Sequence, residues 1–93
     1  MKFKSNARYS EPVESGTIYE GRIGNMIISV HRIIHCDGWY LSCPDVCINQ
    51  RKLKSDTIMG AIKESKEILK NVIEGLMNDV NAFCEENIEI SRR

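Results

Sequence analysis

The apolar positions change period along the chain. Residues 17–43 alternate with a period near two, and residues 57–84 recur at three- and four-residue steps. Thr17–Ile23 (TIYEGRI) reads as a short strand, weakened by Gly21, and Gly24-Asn25 as a turn. Met26–His35 (MIISVHRIIH) carries the strongest strand pattern. Met26, Ile28, Val30 and Ile34 share one face, interrupted by Arg32. Ile27, Ser29, His31, Ile33 and His35 form the other, more polar one. Asp37-Gly38 predicts a tight hairpin turn. Trp39–Cys43 is the return strand, with Trp39, Leu41 and Cys43 on one face and Tyr40 and Ser42 on the other. Pro44-Asp45 ends the pairing, since proline has no N–H for the ladder. Val46–Leu53 alternates only weakly and is a third strand at most.

Ser55 or Asp56 is suited to cap the helix that follows. From Thr57 to about Cys84, Ile58, Ala61, Ile62, Ser65, Leu69, Val72, Ile73, Leu76, Val80 and Phe83 keep a helical stripe. Such a helix is about 42 Å long at 1.5 Å per residue, longer than any hairpin beneath it. It must break near Gly75, its weakest point, or pack its second half on another chain. The second solution, a homodimer, is the expectation. Asn87–Ser91 (NIEIS) is expected to close the fold as an edge strand. The fold class is therefore α+β: an antiparallel sheet of three to four strands packed on one long C-terminal helix.

The first fifteen residues fit neither period. Lys2, Lys4 and Arg8 make a basic start, and Glu11, Pro12 and Glu14 disfavour regular structure. Residues 1–15 are expected to be a flexible arm, ahead of one α+β domain at 16–93. A chain of 93 residues supports one modest core. Thirteen basic residues balance thirteen acidic ones, which argues against nucleic acid or an anionic membrane surface as main partner. No apolar run approaches the roughly 20 residues of a membrane span, and the N-terminus lacks an apolar signal segment. A cytoplasmic location follows as expectation, and with it four cysteines that are free thiols or metal ligands.

The stretch HCDGWYLSCPDVC, residues 35–47, gathers most of the reactive side chains. With His31 it offers zinc five candidate ligands: His31, His35, Cys36, Cys43 and Cys47. Only Cys43 and Cys47 have knuckle spacing. His31 and His35 would lie about 13 Å apart along one strand. No C-x-x-C occurs, and nothing nearby would lower a thiol pKa. Asp37 and Asp45 are accounted for by turns, and Gly16, Gly21 and Gly24 form no phosphate loop. These readings leave no catalytic set, no metal site and no cofactor, and a protein that is not an enzyme. The candidate partner-binding residues are Trp39, Tyr40, Arg32, His31 and Arg51. Trp39 also qualifies as core through its shared face with Leu41 and Cys43, so Tyr40 is the better exposed anchor.

The order D-G turn, aromatic-led strand ending in P-D, then D-T opening a helix resembles the N-terminal domain of HicB-type antitoxins. The matching residues are Asp37-Gly38-Trp39-Tyr40-Leu41-Ser42-Cys43-Pro44-Asp45-Val46, then Asp56-Thr57 with Ala61, Lys66 and Glu67. The resemblance covers about residues 26–70. Cys47-Ile48 replaces the family's Pro-Gly, the segment before Asp56 is about two residues longer, and Ser65 stands where the family tends to have alanine. The resemblance implies a three- or four-stranded layer crossed by one helix, and a non-catalytic domain that binds and blocks a small RNA-degrading toxin. The expected function is inhibition or sequestration of another macromolecule. One alternative is a small phage or mobile-element inhibitor of a host defence protein or its small-molecule signal, with His31, Arg32 or Arg51 lining a dimer pocket. Another is a zinc-stabilised binding module.

Overall fold

The computed structural model, which describes residues 2–92, folds the alternating stretch as an antiparallel meander. Its strands are β1 (Lys4–Ser5), β2 (Ile18–Ile23), β3 (Met26–His31), β4 (Tyr40–Cys43) and β5 (Ile48–Lys52), ordered β1-β2-β3-β4-β5 in one sheet. A single helix, α1 (Ile58–Glu85), follows. The α+β class is as expected, with five strands in place of three to four.

The additional strand comes from the segment expected to be a loose arm. Lys4 pairs with Glu20 and Ser5 with Tyr19. Asn6 fastens this edge. Its side-chain oxygen accepts from the N–H groups of Thr17 (2.7 Å) and Ile18 (3.1 Å), and its amide donates to the Thr17 hydroxyl. Gly16 permits the approach, because a methyl group there would collide with the Ser5 side chain. Phe3 packs on the core from the same segment. The ends of the expected units, Met1 and Arg93, lie outside the described residues.

β2 and β3 pair along their full length, from Ile18–His31 to Ile23–Met26. β3 stops at His31, four residues short of the apolar pattern. Tyr40 is its partner on β4, so eight residues lie between the strands where Asp37-Gly38 alone was expected to turn. Within this loop Cys36 N–H donates to the Ile33 carbonyl, and His35 adopts φ 65° at the third position of that turn. Histidine is among the few residues enriched in this left-handed region. Gly38, at φ 87°, redirects the chain into β4. Ile34, placed by alternation on the core face, is consequently 83% exposed.

A 3₁₀ turn at Pro44–Val46 links β4 to β5. β5 is bulged. Leu41 faces Arg51 and Cys43 faces Ile48, so Ser42 alone opposes Asn49 and Gln50. Gln50 takes φ 49° there. The disruption explains why this strand alternated weakly in sequence.

The core lies between one sheet face and the first half of α1. Ile28, Val30, Leu41 and Cys43 meet Ala61 and Leu69, with Tyr19 and Trp39 closing one end in an edge-to-face pair 5.7 Å apart. Thr57 is the N-cap in place of Ser55 or Asp56, its hydroxyl accepting from Gly60 N–H at 3.1 Å. Ser55 and Lys54 instead donate their N–H groups to the Glu64 carboxylate at 2.9–3.0 Å. That carboxylate draws the β5–α1 connection onto the helix.

The 28-residue helix is continuous through Gly75. Only its first half covers the sheet. The buried positions Ala61, Ser65 and Leu69 are followed by partly buried Val72 and Ile73, and from Glu74 every residue is exposed. The projecting half stretches the molecule to 61 × 27 × 20 Å. Residues 87–92 follow the helix without joining the sheet, so Asn87–Ser91 is not the expected edge strand. Its Ile88 and Ile90 are exposed.

Candidate partner interface

Because α1 occupies one face of the sheet, the other is left open. Strand register assembles two rows of side chains across it. One row runs Lys4, Glu20, Ser29, Ser42, and the next runs Ile18, His31, Tyr40, Lys52. Residues opposite one another on antiparallel strands share a face, with Cβ atoms about 5 Å apart. The rows are therefore contiguous, polar and mixed in charge, with one aromatic near their centre.

Ser42 organises the middle of this face. Its Oγ accepts from the Gln50 N–H freed by the bulge, at 3.0 Å, and meets His31 Nε2 at 2.8 Å. His31 Nδ1 lies 3.1 Å from the Arg32 carbonyl. A carbonyl only accepts, so Nδ1 carries a proton and donates it to Arg32, while Nε2 and the Ser42 hydroxyl share the second hydrogen bond. Both ring nitrogens are engaged, which locks the imidazole beside Tyr40, with ring centroids 6.4 Å apart. Tyr40 OH donates to the Asp37 carbonyl at 3.0 Å, tying the ring to the loop. Held in this way, the two side chains lose little freedom on contact with a partner.

The remaining candidates separate. Trp39 is 4% exposed and belongs to the core, so it is no surface anchor. Strand parity places it with Leu41 and Cys43, away from Tyr40. Arg32 is exposed and lies over the Trp39 ring, its guanidinium carbon 4.3 Å from the ring centroid. A cation–π contact at such a site contributes on the order of 0.5–1 kcal/mol. Arg51 pairs with Leu41 and so belongs to the helix-facing side of edge strand β5. His31 and Arg51 therefore lie on opposite sides of the sheet.

The cysteines also disperse. Cys43 is fully buried, and burial pushes its thiol pKa up, with the Asp45 carboxylate adding to the effect against hydrogen bonds from the Val46 and Asp45 backbone. A raised pKa makes for an inert thiol. Cys36, Cys47 and Cys84 are exposed free thiols. Among the described residues, no three His, Cys, Asp or Glu side chains come together as a metal-ligand group. Cys47 takes φ 60°. That conformation is closed to proline, because the pyrrolidine ring fixes φ near −65°. A shallow cleft of about 460 Å³ at the helix start is lined by Asp37, Asp56, Lys52 and Lys54 together with Gly38 and Leu53. Its charges cancel, and it offers no preference for an anion or a cation.

Sequence reasoning singled out His31 and Tyr40 and passed over Ser42, Asn6 and Glu64. Parity already placed Ser42 beside Tyr40, but its role depends on the bulge at Gln50, which has no sequence signature. Among the described residues no helix is long and apolar enough to cross a membrane. Comparison with family models, with curated proteins and with solved structures finds no match.

Proposed function

We propose that the chain is a non-catalytic binding protein that inhibits or sequesters another macromolecule, in the manner of an antitoxin. The observation that carries this reading is the open sheet face, where Tyr40 and His31 are fixed by hydrogen bonds amid exposed polar side chains. A rigid aromatic ringed by satisfied polar groups is the composition of a protein-binding hot spot. One further feature agrees with it. The segment around Asp37–Val46 resembles the toxin-blocking domain of HicB-type antitoxins. The partner that fits is a small protein presenting both donors and acceptors, since the face mixes Lys4, Lys52 and Glu20 with hydroxyls.

The test is co-expression with the product of the adjacent gene. If that product arrests growth, the chain restores growth and co-purifies with it. Tyr40→Ala keeps the fold and weakens the complex about tenfold to a hundredfold, as expected for an anchor contributing about 1.4–2.8 kcal/mol. An adjacent product that is harmless, or that the chain neither binds nor silences, overturns the antitoxin reading.

A further inference from the structure

The projecting half of α1 carries a seam. Leu69, Ile73, Leu76, Val80 and Phe83 alternate four- and three-residue steps, the spacing that lets two helices interlock. The seam starts on the body, where Leu69 is buried, and runs off it to Val80 and Phe83, which are 56% and 64% exposed. Charge changes along the same helix. Lys63, Lys66 and Lys70 outnumber Glu64 and Glu67 on the body half. Between Lys70 and Arg92 there is no basic residue, while Glu74, Asp79, Glu85, Glu86 and Glu89 are all acidic. Where the helix leaves the sheet, Phe3, Ile23, Leu69 and Ile73 line an apolar groove of about 240 Å³, with Lys66, Lys70 and Glu74 among its walls.

We propose that this half-helix is a docking surface for a second copy of itself, running antiparallel, with Phe83 of each chain entering the apolar groove of the other. Leu69 and Phe83 lie seven residues on either side of Leu76. A two-fold crossing at Leu76 therefore brings the Phe83 of one chain over the Leu69 end of the other. The same crossing sets Glu86 opposite Lys66, so each acidic tip meets the lysines of the partner body. A parallel pair would instead align two acidic tips, and like charges at close range are destabilising. The seam is isologous, as a two-fold dimer requires. Because α1 is behind the sheet, this pairing leaves the open face with Tyr40 free, and the proposal stands independently of the antitoxin reading.

Sedimentation of the full chain at micromolar concentration is the first test. The expected particle has twice the 10.7 kDa chain mass. Val80→Glu and Phe83→Glu, at exposed positions, halve that mass without changing the circular dichroism. Orientation is read with the native Cys84 in a Cys36→Ser, Cys47→Ser background. In the antiparallel pair the two Cys84 residues are about 24 Å apart along the axis at 1.5 Å per residue, far beyond disulfide reach. Mild oxidation is therefore expected to leave Cys84 unlinked, while an added Lys70→Cys joins to the Cys84 of the second copy. A wild-type chain that sediments as a monomer, a dimer that survives both glutamate variants, or a Cys84–Cys84 link would overturn the proposal.

Discussion

Ser65 has a hydroxyl that is fully buried against the sheet and without a hydrogen-bond partner. Burying an unpaired hydroxyl costs on the order of 1–3 kcal/mol, and alanine is also the better helix former. Ser65→Ala is therefore expected to raise stability by about 1 kcal/mol, seen as a higher urea midpoint at unchanged slope. A lower midpoint would mean that the hydroxyl has a partner in solution. Trp39 Nε1 is likewise buried and unpartnered. Its ring is nevertheless well placed, between the edge-on Tyr19 and the Arg32 guanidinium. Residue parity was enough to foresee the burial of Trp39 and the place of the half-buried Tyr40 on the opposite face. It was not enough for Arg51, because the bulge at Gln50 resets which way β5 points.

At the scale of elements, β2, β3, β4 and the helix were legible because each keeps its own period over several residues. β1 was not, since a two-residue strand has no period, and its place depends on Asn6 and on the room left by Gly16. The end of β3 was missed because Ile33 and Ile34 continue its pattern into a loop. The join between β5 and α1 rests on Glu64. Partial burial would raise its pKa, but hydrogen bonds from the Lys54 and Ser55 backbone and from the Ser55 hydroxyl outweigh it, and Lys54 adds to them, so the pKa is lowered. A carboxylate with a lowered folded pKa stabilises above its unfolded pKa, and that contribution disappears as pH falls through the folded value. The wild-type protein should thus lose more stability than Glu64→Gln on acidification below the ordinary glutamate range. At neutral pH the variant should be weaker by on the order of 1 kcal/mol, with solvent screening keeping the difference small. Thermal melts of both proteins across that range check the sign. Equal pH slopes would remove Glu64 as the clamp.

The whole molecule divides its labour between two surfaces. One sheet face and half a helix build the core, the other sheet face presents Tyr40 and His31, and the far half of the helix extends into solvent. The length mismatch between helix and sheet was readable from the sequence, as was the resulting choice between a break and a partner. The continuous helix removes the break at Gly75. What the sequence alone did not reveal was the two-row organisation of the open face, because cross-strand neighbours follow from register and not from spacing along the chain.

The central claim is that this open face receives the partner. It is tested most directly by titrating isotope-labelled chain with the protein that co-purifies with it and following backbone amide resonances. The account predicts shifts concentrated at Glu20, Ser29, His31, Tyr40 and Ser42, with Ala61, Ser65 and Leu69 little affected. Shifts confined to α1, with the His31 and Tyr40 amides unchanged at saturation, would contradict it.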